Sequence, residues 1–161
     1  MEQGAWRYGR HRALFRGRRE RGRGAPRCGC RSACRVRLLT VLLDTSVLID
    51  HLRSVPAATE YLAGLDDRPA CSEISRIEVI QGLRLAERQA AEVLFAAIDW
   101  VPLDEALARR AGELGQQWRR SHTGIGVADL AIAATAEHVG GGLATRNVRH
   151  FPMFANLHPP Y

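Results

Sequence analysis

The chain has 161 residues, of which 46% are hydrophobic, 25% charged and 6% aromatic. A chain of that size suits one domain and can bury about 70% of its unfolded surface without help from disulfides or a structural metal; no apolar run approaches the roughly 18 residues that cross a bilayer, which excludes a membrane-spanning helix. The formal charge of +6 is unevenly divided: residues 1–37 carry 12 arginines against two acids, or +10, and residues 38–161 carry 11 arginines against 15 acids, or −4.

Residues 1–37 show neither helical nor strand periodicity, are rich in Gly and Arg, and cannot bury enough apolar surface to offset their chain entropy. The expectation is a disordered tail. It reads either as a polybasic RNA-binding arm with Trp6, Tyr8 and Phe15 available for stacking, or as an upstream stretch included by too early a start, with the protein beginning near Val36 or Val41. The abrupt change in composition favours the second. The apolar stretch after the arginines falls short of the ~7–15 residues of a secretory signal core. Cys28, Cys30 and Cys34 lie in this tail, where C-x-C-x3-C lacks a fourth ligand at zinc spacing. Cys71 stands alone in the body, so the expected compartment is a reducing cytoplasm.

From residue 38 strands alternate with helices. Residues 38–43 (LLTVLL) form a short strand; Asp44, Thr45 and Ser46 follow its carboxyl end, and 47–53 turn helical. Pro56 opens a second helix over 57–65, stopped by Asp66, Asp67 and Pro69. Residues 70–74 make a strand. Ser75 then caps a helical hairpin over 76–98 that breaks near 85–88. Residues 99–103 form a strand, and Asp104 caps a helix over 105–120 whose Leu107, Ala111 and Leu114 mark a buried face. After a loop at 121–126, residues 127–139 (VADLAIAATAEHV) are small and apolar on nearly every side, as in a helix buried against a sheet. Gly140, Gly141 and Gly142 end it, 142–145 form a strand, and the remainder is turn-rich with one last short strand.

This alternation implies an α/β fold with a mostly parallel sheet covered on both faces. Ligands of such sheets bind beyond the carboxyl ends of the strands. Asp44 ends the first strand and Thr145, Arg146 and Asn147 end a later one, so both reach that edge.

Two further acids are placed by helices. Glu78 stands three residues after Ser75 in S-R-I-E, the capping-box spacing, so its local reading is a carboxylate that reaches back to the Ser75 backbone. Asp129 lies in G-V-A-D-L-A-I-A-A-T-A, where it is either a first-turn acid facing the helix dipole or a site acid that needs a partner or a metal. Asp44, Glu78 and Asp129 can all face one sheet edge, and converging carboxylates suit a hard divalent cation, Mg2+ or Mn2+, which keeps several waters. Such an ion activates water and neutralises charge on a phosphodiester.

The ordered set VLLDTSVLIDHL, SEISRIEVIQGL and VADLAIAATAEHVGGGLATRNVRHF resembles the PIN-domain ribonucleases and, more narrowly, the VapC-type toxins of toxin–antitoxin pairs. The resemblance spans about residues 38–157, all but the tail. It implies a three-layer α/β/α domain whose acidic pocket binds Mg2+ or Mn2+ and cuts single-stranded or loop RNA, leaving 5′-phosphate and 3′-hydroxyl ends. Asp44, Glu78 and Asp129 match the family's metal-binding acids: Asp44 and Asp129 hold the ion, and Glu78 either joins them or holds one of its waters. Thr45 and Ser46 orient the first acid or a water, and Thr145 matches the threonine after the late strand. Asn147 departs from the pattern, because many relatives carry a further Asp there, and His150 stands where an acid is also common. With one negative ligand fewer, one-ion and two-ion readings both stand, although the Asn147 carbonyl can accept from an ordered water. Arg146 and Arg149 are candidate contacts to the RNA backbone. The resemblance also implies a homodimer and a cognate VapB-type antitoxin whose basic segment can close the acidic pocket.

Four other readings stand beside this one. A haloacid-dehalogenase-like phosphatase needs D-x-D where this chain has Asp44-Thr45-Ser46, and a dinucleotide-binding protein needs its glycines after the first strand, not at 140–142. A non-catalytic RNA-binding or antitoxin-sequestering module accommodates the missing fourth acid, and a housekeeping RNA-processing nuclease shares the same fold.

Overall fold

The computed structural model describes residues 40–161, so the expectations for the tail and its three cysteines fall outside the described residues. The elements run β1 (Leu42–Leu43), α1 (Thr45–Leu52), α2 (Pro56–Ala63), β2 (Ala70–Ser72), α3 (Glu73–Gly82), a 3₁₀ turn (Leu85–Glu87), α4 (Arg88–Ala96), β3 (Asp99–Val101), α5 (Glu105–Trp118), α6 (Val127–Val139) and β4 (Leu143–Ala144), with a further 3₁₀ turn at Val148–His150. The four strands form one sheet in the order β3-β2-β1-β4, and every pairing is parallel.

Strand periodicity explains the layering. Successive side chains of a strand point to opposite faces, and here Leu42, Ala70 and Leu143 pack with Leu107, Ala111, Leu114, Leu130 and Ile132 of α5 and α6. Their neighbours Leu43, Cys71 and Ala144 pack on the other face with Val47 and Leu48 of α1, Val79 of α3, and Leu94 and Phe95 of α4. The result is the expected three-layer α/β/α arrangement. Arg110 of α5 pairs with Glu137 of α6, while Arg119 and Val127 share a groove at the other end of the pair, so the two helices run antiparallel. The start of α6 therefore lies beside the end of α5.

The strand order places β1 at the switch point. From β1 the chain winds outward through β2 to β3, then returns past the sheet to lay β4 on the opposite side of β1. A crevice opens where adjacent strands send their connections to opposite faces, and here that point lies between the carboxyl ends of β1 and β4. Two glycines make the return possible. Gly140 closes α6 in the left-handed region (φ 69°), and a Cβ on Gly141 would collide with the Thr40 carbonyl oxygen as the chain approaches β1. The Gly142 carbonyl then accepts from Leu42 N at 2.8 Å to start the β1–β4 ladder.

Three expectations are corrected. The cap of α3 is Ser72, not Ser75: its side chain accepts from Ile74 N, and the helix begins directly after a strand that ends at residue 72 rather than 74. The expected last short strand does not form, because Pro152, Pro159 and Pro160 cannot donate to a ladder and the segment instead makes turns, one through Asn156 at φ 59°. The described strands are also shorter than expected, with β1 reduced to Leu42–Leu43 and β3 to Asp99–Val101. The expected break in the 76–98 hairpin is found at Leu85–Glu87. No described helix is long and apolar enough to cross a membrane.

Candidate active site

Asp44 leaves β1 as the N-cap of α1 and is 4% exposed. Its Oδ2 accepts from the Ser46 hydroxyl at 2.6 Å, from Ser46 N at 3.4 Å and from the Thr145 hydroxyl at 2.7 Å. Those donors come from the first turn of α1 and the end of β4, so the carboxylate is fixed from both sides of the switch point. Oδ1 takes no hydrogen bond from the described residues. Thr145 is itself held, accepting from Asn147 N at 2.9 Å, and Ser46 Oγ also accepts from Arg146 N at 3.1 Å. Ser46 thus orients the first acid, whereas the Thr45 hydroxyl turns to a different carboxylate, that of Glu78.

Glu78 sits on α3, one turn beyond Ser75. The capping-box reading fails, because Glu78 Oε2 accepts from the Thr45 hydroxyl at 2.6 Å, 33 residues earlier in the chain. That bond turns the Glu78 carboxylate toward the end of β1. Asp129 makes the first-turn contact of its local reading and also stands in the cleft. From the first turn of α6 its Oδ2 accepts from Gly126 N at 2.7 Å, a local capping contact, and the residue also lines the same cleft as Asp44 and Glu78. The His150 ring nitrogen Nδ1 stands 3.3 Å from the Asp129 carboxylate.

The cleft has a volume of about 440 Å³, and Asp44, Glu78 and Asp129 contribute to its walls together with Ser46, Arg146 and Asn147. Three elements distant in sequence therefore deliver the three expected acids to one place. Arg149 is exposed and lies outside the lining. Arg146 is present but engaged: Nη1 lies 2.9 Å from Asp50 Oδ2 and its guanidinium is 5.2 Å from the centre of the Tyr161 ring.

Two charged lining residues, Asp50 and Arg53, are not among the candidates the sequence named. Their signal was available, since Ser46, Asp50 and Arg53 recur at i, i+4 and i+7 and so share one face of α1. Tyr161 escaped because nothing in a terminal PPY announces its hydroxyl on Asp50 at 3.2 Å. Burial foremost, and then the Asp50 charge, push the Tyr161 phenol up to about 12. Burial also pushes the Cys71 thiol well above its ordinary range, which keeps it protonated and inert.

The donor set suits a hard cation. Asp44 and Glu78 each have one oxygen held by a hydroxyl and the other unengaged by the described residues. Among the described residues no group of three or more Asp, Glu, His or Cys side chains is gathered closely enough to enclose an ion with protein ligands alone. Mg2+ and Mn2+ do not require that, because they retain several waters and use one or two carboxylates.

The fold and cleft define a PIN domain, and the PIN-domain family model matches residues 41–156; the chain belongs to that family. Within it the chain is similar to two ribonucleases of Mycobacterium tuberculosis (strain H37Rv). It is 46% identical to Ribonuclease VapC19 over 123 residues, covering 74% of this chain and 98% of that protein, and 47% identical to Ribonuclease VapC10, covering 75% and 92%. In structure it is similar to a toxin–antitoxin complex from Klebsiella pneumoniae, with a TM-score of 0.66, 25% identity, and coverage of 76% of this chain and 98% of that one.

Proposed function

We propose that the protein is a metal-dependent endoribonuclease that acts as the toxin of a VapBC-type pair, hydrolysing RNA phosphodiester bonds in the cytoplasm. The observation that carries this reading is the delivery of Asp44, Glu78 and Asp129 to one cleft at the switch point, two of them with an oxygen left open by the hydroxyls that hold the other. Similarity to named VapC ribonucleases over nearly their full length supports it.

Asp44 and Asp129 would hold Mg2+ or Mn2+, with Glu78 either joining them or holding a water. The bound ion would lower the pKa of water and offset phosphate charge during in-line attack. The chain's own residues supply orientation. Thr145 and Ser46 fix Asp44 through Oδ2 and leave Oδ1 without a donor among the described residues, Thr45 fixes Glu78, and the Gly126 amide fixes Asp129. Asn147 lines the cleft as a neutral amide able to orient a water, which leaves room for a one-ion site. Arg146 and Arg149 are the proposed RNA contacts named by the sequence, with Arg146 available once it leaves Asp50.

The partners on this reading are RNA, a second copy of the chain, and a VapB-type antitoxin; solved neighbours include toxin–antitoxin complexes. A basic antitoxin segment would find the cleft complementary, because four carboxylates line it against two guanidiniums. The test is cleavage of a mixed structured-RNA pool by purified, antitoxin-free protein in Mg2+, in Mn2+ and in EDTA. Cutting in either metal and none in EDTA is expected; a folded sample that binds RNA without cutting in either metal supports the non-catalytic module instead.

A further inference from the structure

The cleft contains two guanidiniums in different states. Arg146 is neutralised by Asp50 at 2.9 Å and packed over Tyr161. Arg53 lines the same cleft, is exposed, and has no acid within ion-pairing distance and no side-chain hydrogen bond among the described residues. Elsewhere the acidic body provides partners: Arg68, Arg76, Arg84, Arg109 and Arg110 each pair with a carboxylate. The described arginines without such a partner are Arg53, Arg88, Arg119, Arg120 and Arg149, and of these Arg53 alone lines the acid-bearing cleft.

We propose that Arg53 is a substrate-binding residue that takes a backbone phosphate of single-stranded RNA beside the scissile position. This rests on the ribonuclease reading above and adds a residue that neither the sequence motifs nor the comparisons assign. The physical case has three parts. Arg53 caps the carboxyl end of α1, where the helix dipole favours a cation without requiring an acid to hold it. Its planar fork of donors matches two phosphate oxygens. It projects from the α1 face that carries Ser46 and Asp50, so a phosphate it held would lie along the wall that begins at Asp44. The Asp50–Arg146 pair leaves Arg53 as the cation that binds without first breaking a contact.

The test uses full-length Asp44→Asn protein as a non-cleaving host and a labelled single-stranded oligoribonucleotide, with Kd measured across a salt series in Mg2+. Adding Arg53→Gln should weaken binding about tenfold, the loss of one charge-assisted hydrogen-bonded contact, and should flatten the slope of log K against log salt by about 0.7, one phosphate fewer on a single strand. Arg88→Gln removes the same charge from α4, outside the cleft, and should change neither. In the otherwise wild-type, cleaving protein, Arg53→Gln should raise KM more than it lowers kcat. Arg53→Lys keeps the charge without the fork and should fall between the two, which preserves the test if the glutamine variant folds poorly.

Equal Kd and slope for Arg53→Gln and Arg88→Gln, in a protein that cuts RNA, would overturn the Arg53 assignment alone. A host that binds no RNA, together with a wild type that cuts none, would overturn the ribonuclease reading as well. Arg53→Gln binding RNA normally while losing affinity for a protein partner would place Arg53 in that interface and also overturn the assignment.

Discussion

The hydroxyl of Thr145 donates a 2.7 Å hydrogen bond to Asp44 Oδ2 across the β1–β4 switch point, joining two buried residues 101 positions apart in the chain. The same hydroxyl accepts from Asn147 N at 2.9 Å, so one atom fixes both the principal acid and the start of the segment that carries Asn147 and His150. A Thr145→Val substitution keeps the shape and removes both bonds. It should lower metal affinity or activity about 10–100-fold, as loss of a ligand-orienting partner does, and cost about 1–3 kcal/mol from the buried Asp44 carboxylate that loses a donor. Thr145→Ser should restore both quantities. Parallel kinetics and thermal melts check this, and activity loss without the stability cost would contradict the dual role.

Asp44→Asn and Asp129→Asn separate chemistry from folding. Each should abolish cleavage while leaving the metal-free melting temperature equal to or above that of the wild type, because carboxylates lining one cleft repel when no cation offsets them. A marked fall in melting temperature for either variant would instead assign that acid a structural role.

Ser72 and Ser75 should respond oppositely to alanine. Ser72 caps α3 and accepts from Thr135 Oγ1 at 3.2 Å, so Ser72→Ala should cost about 1 kcal/mol, seen as a lower melting temperature. The Ser75 hydroxyl is fully buried with no hydrogen-bond partner among the described residues. Removing an unsatisfied polar group relieves its desolvation penalty, and Ser75→Ala should leave stability unchanged or raise it. A loss at Ser75 equal to that at Ser72 would refute the placement of the cap.

Tyr161 carries the pH prediction. Burial, and then the Asp50 charge, push its phenol from the ordinary 10.0 up to about 12. The folded state therefore holds the proton that the unfolded state releases between those values, so stability is fully present below about pH 10 and declines as pH rises toward the folded value. Ultraviolet titration of wild type against Tyr161→Phe should show one late-ionising tyrosine missing from the variant. An ordinary tyrosine value for that residue would mean that the ring is not buried beside Asp50 as the structure has it.

The sequence showed the layers and the acids more clearly than the contacts that orient them. Alternating strands and helices, the apolar run of α6 and the Asp44-Thr45-Ser46 turn are local signals, and the fold follows from them. Glu78 was harder, because S-R-I-E has the spacing of a capping box while its actual partner, Thr45, lies 33 residues away and only the packed fold brings the two together. Ser75 carried the local cap signal but lies inside α3; the short β2 ends at Ser72 and makes that residue the cap, and strand length is set by pairing with β1 and β3 rather than by the residues of β2 alone. The Asp50–Arg146–Tyr161 cluster was illegible for the same reason, since it joins α1 to the far end of the chain.

The most direct test of metal-assisted hydrolysis in this cleft is the chemistry of the ends left on cleaved RNA, measured for wild type in Mg2+, wild type in EDTA, and Asp44→Asn in Mg2+. Attack by water oriented among Asp44, Glu78 and Asp129 should give 5′-phosphate and 3′-hydroxyl fragments in the first sample and no fragments in the other two. Fragments ending in 2′,3′-cyclic phosphate, or cutting that persists undiminished in EDTA and in Asp44→Asn, would contradict it.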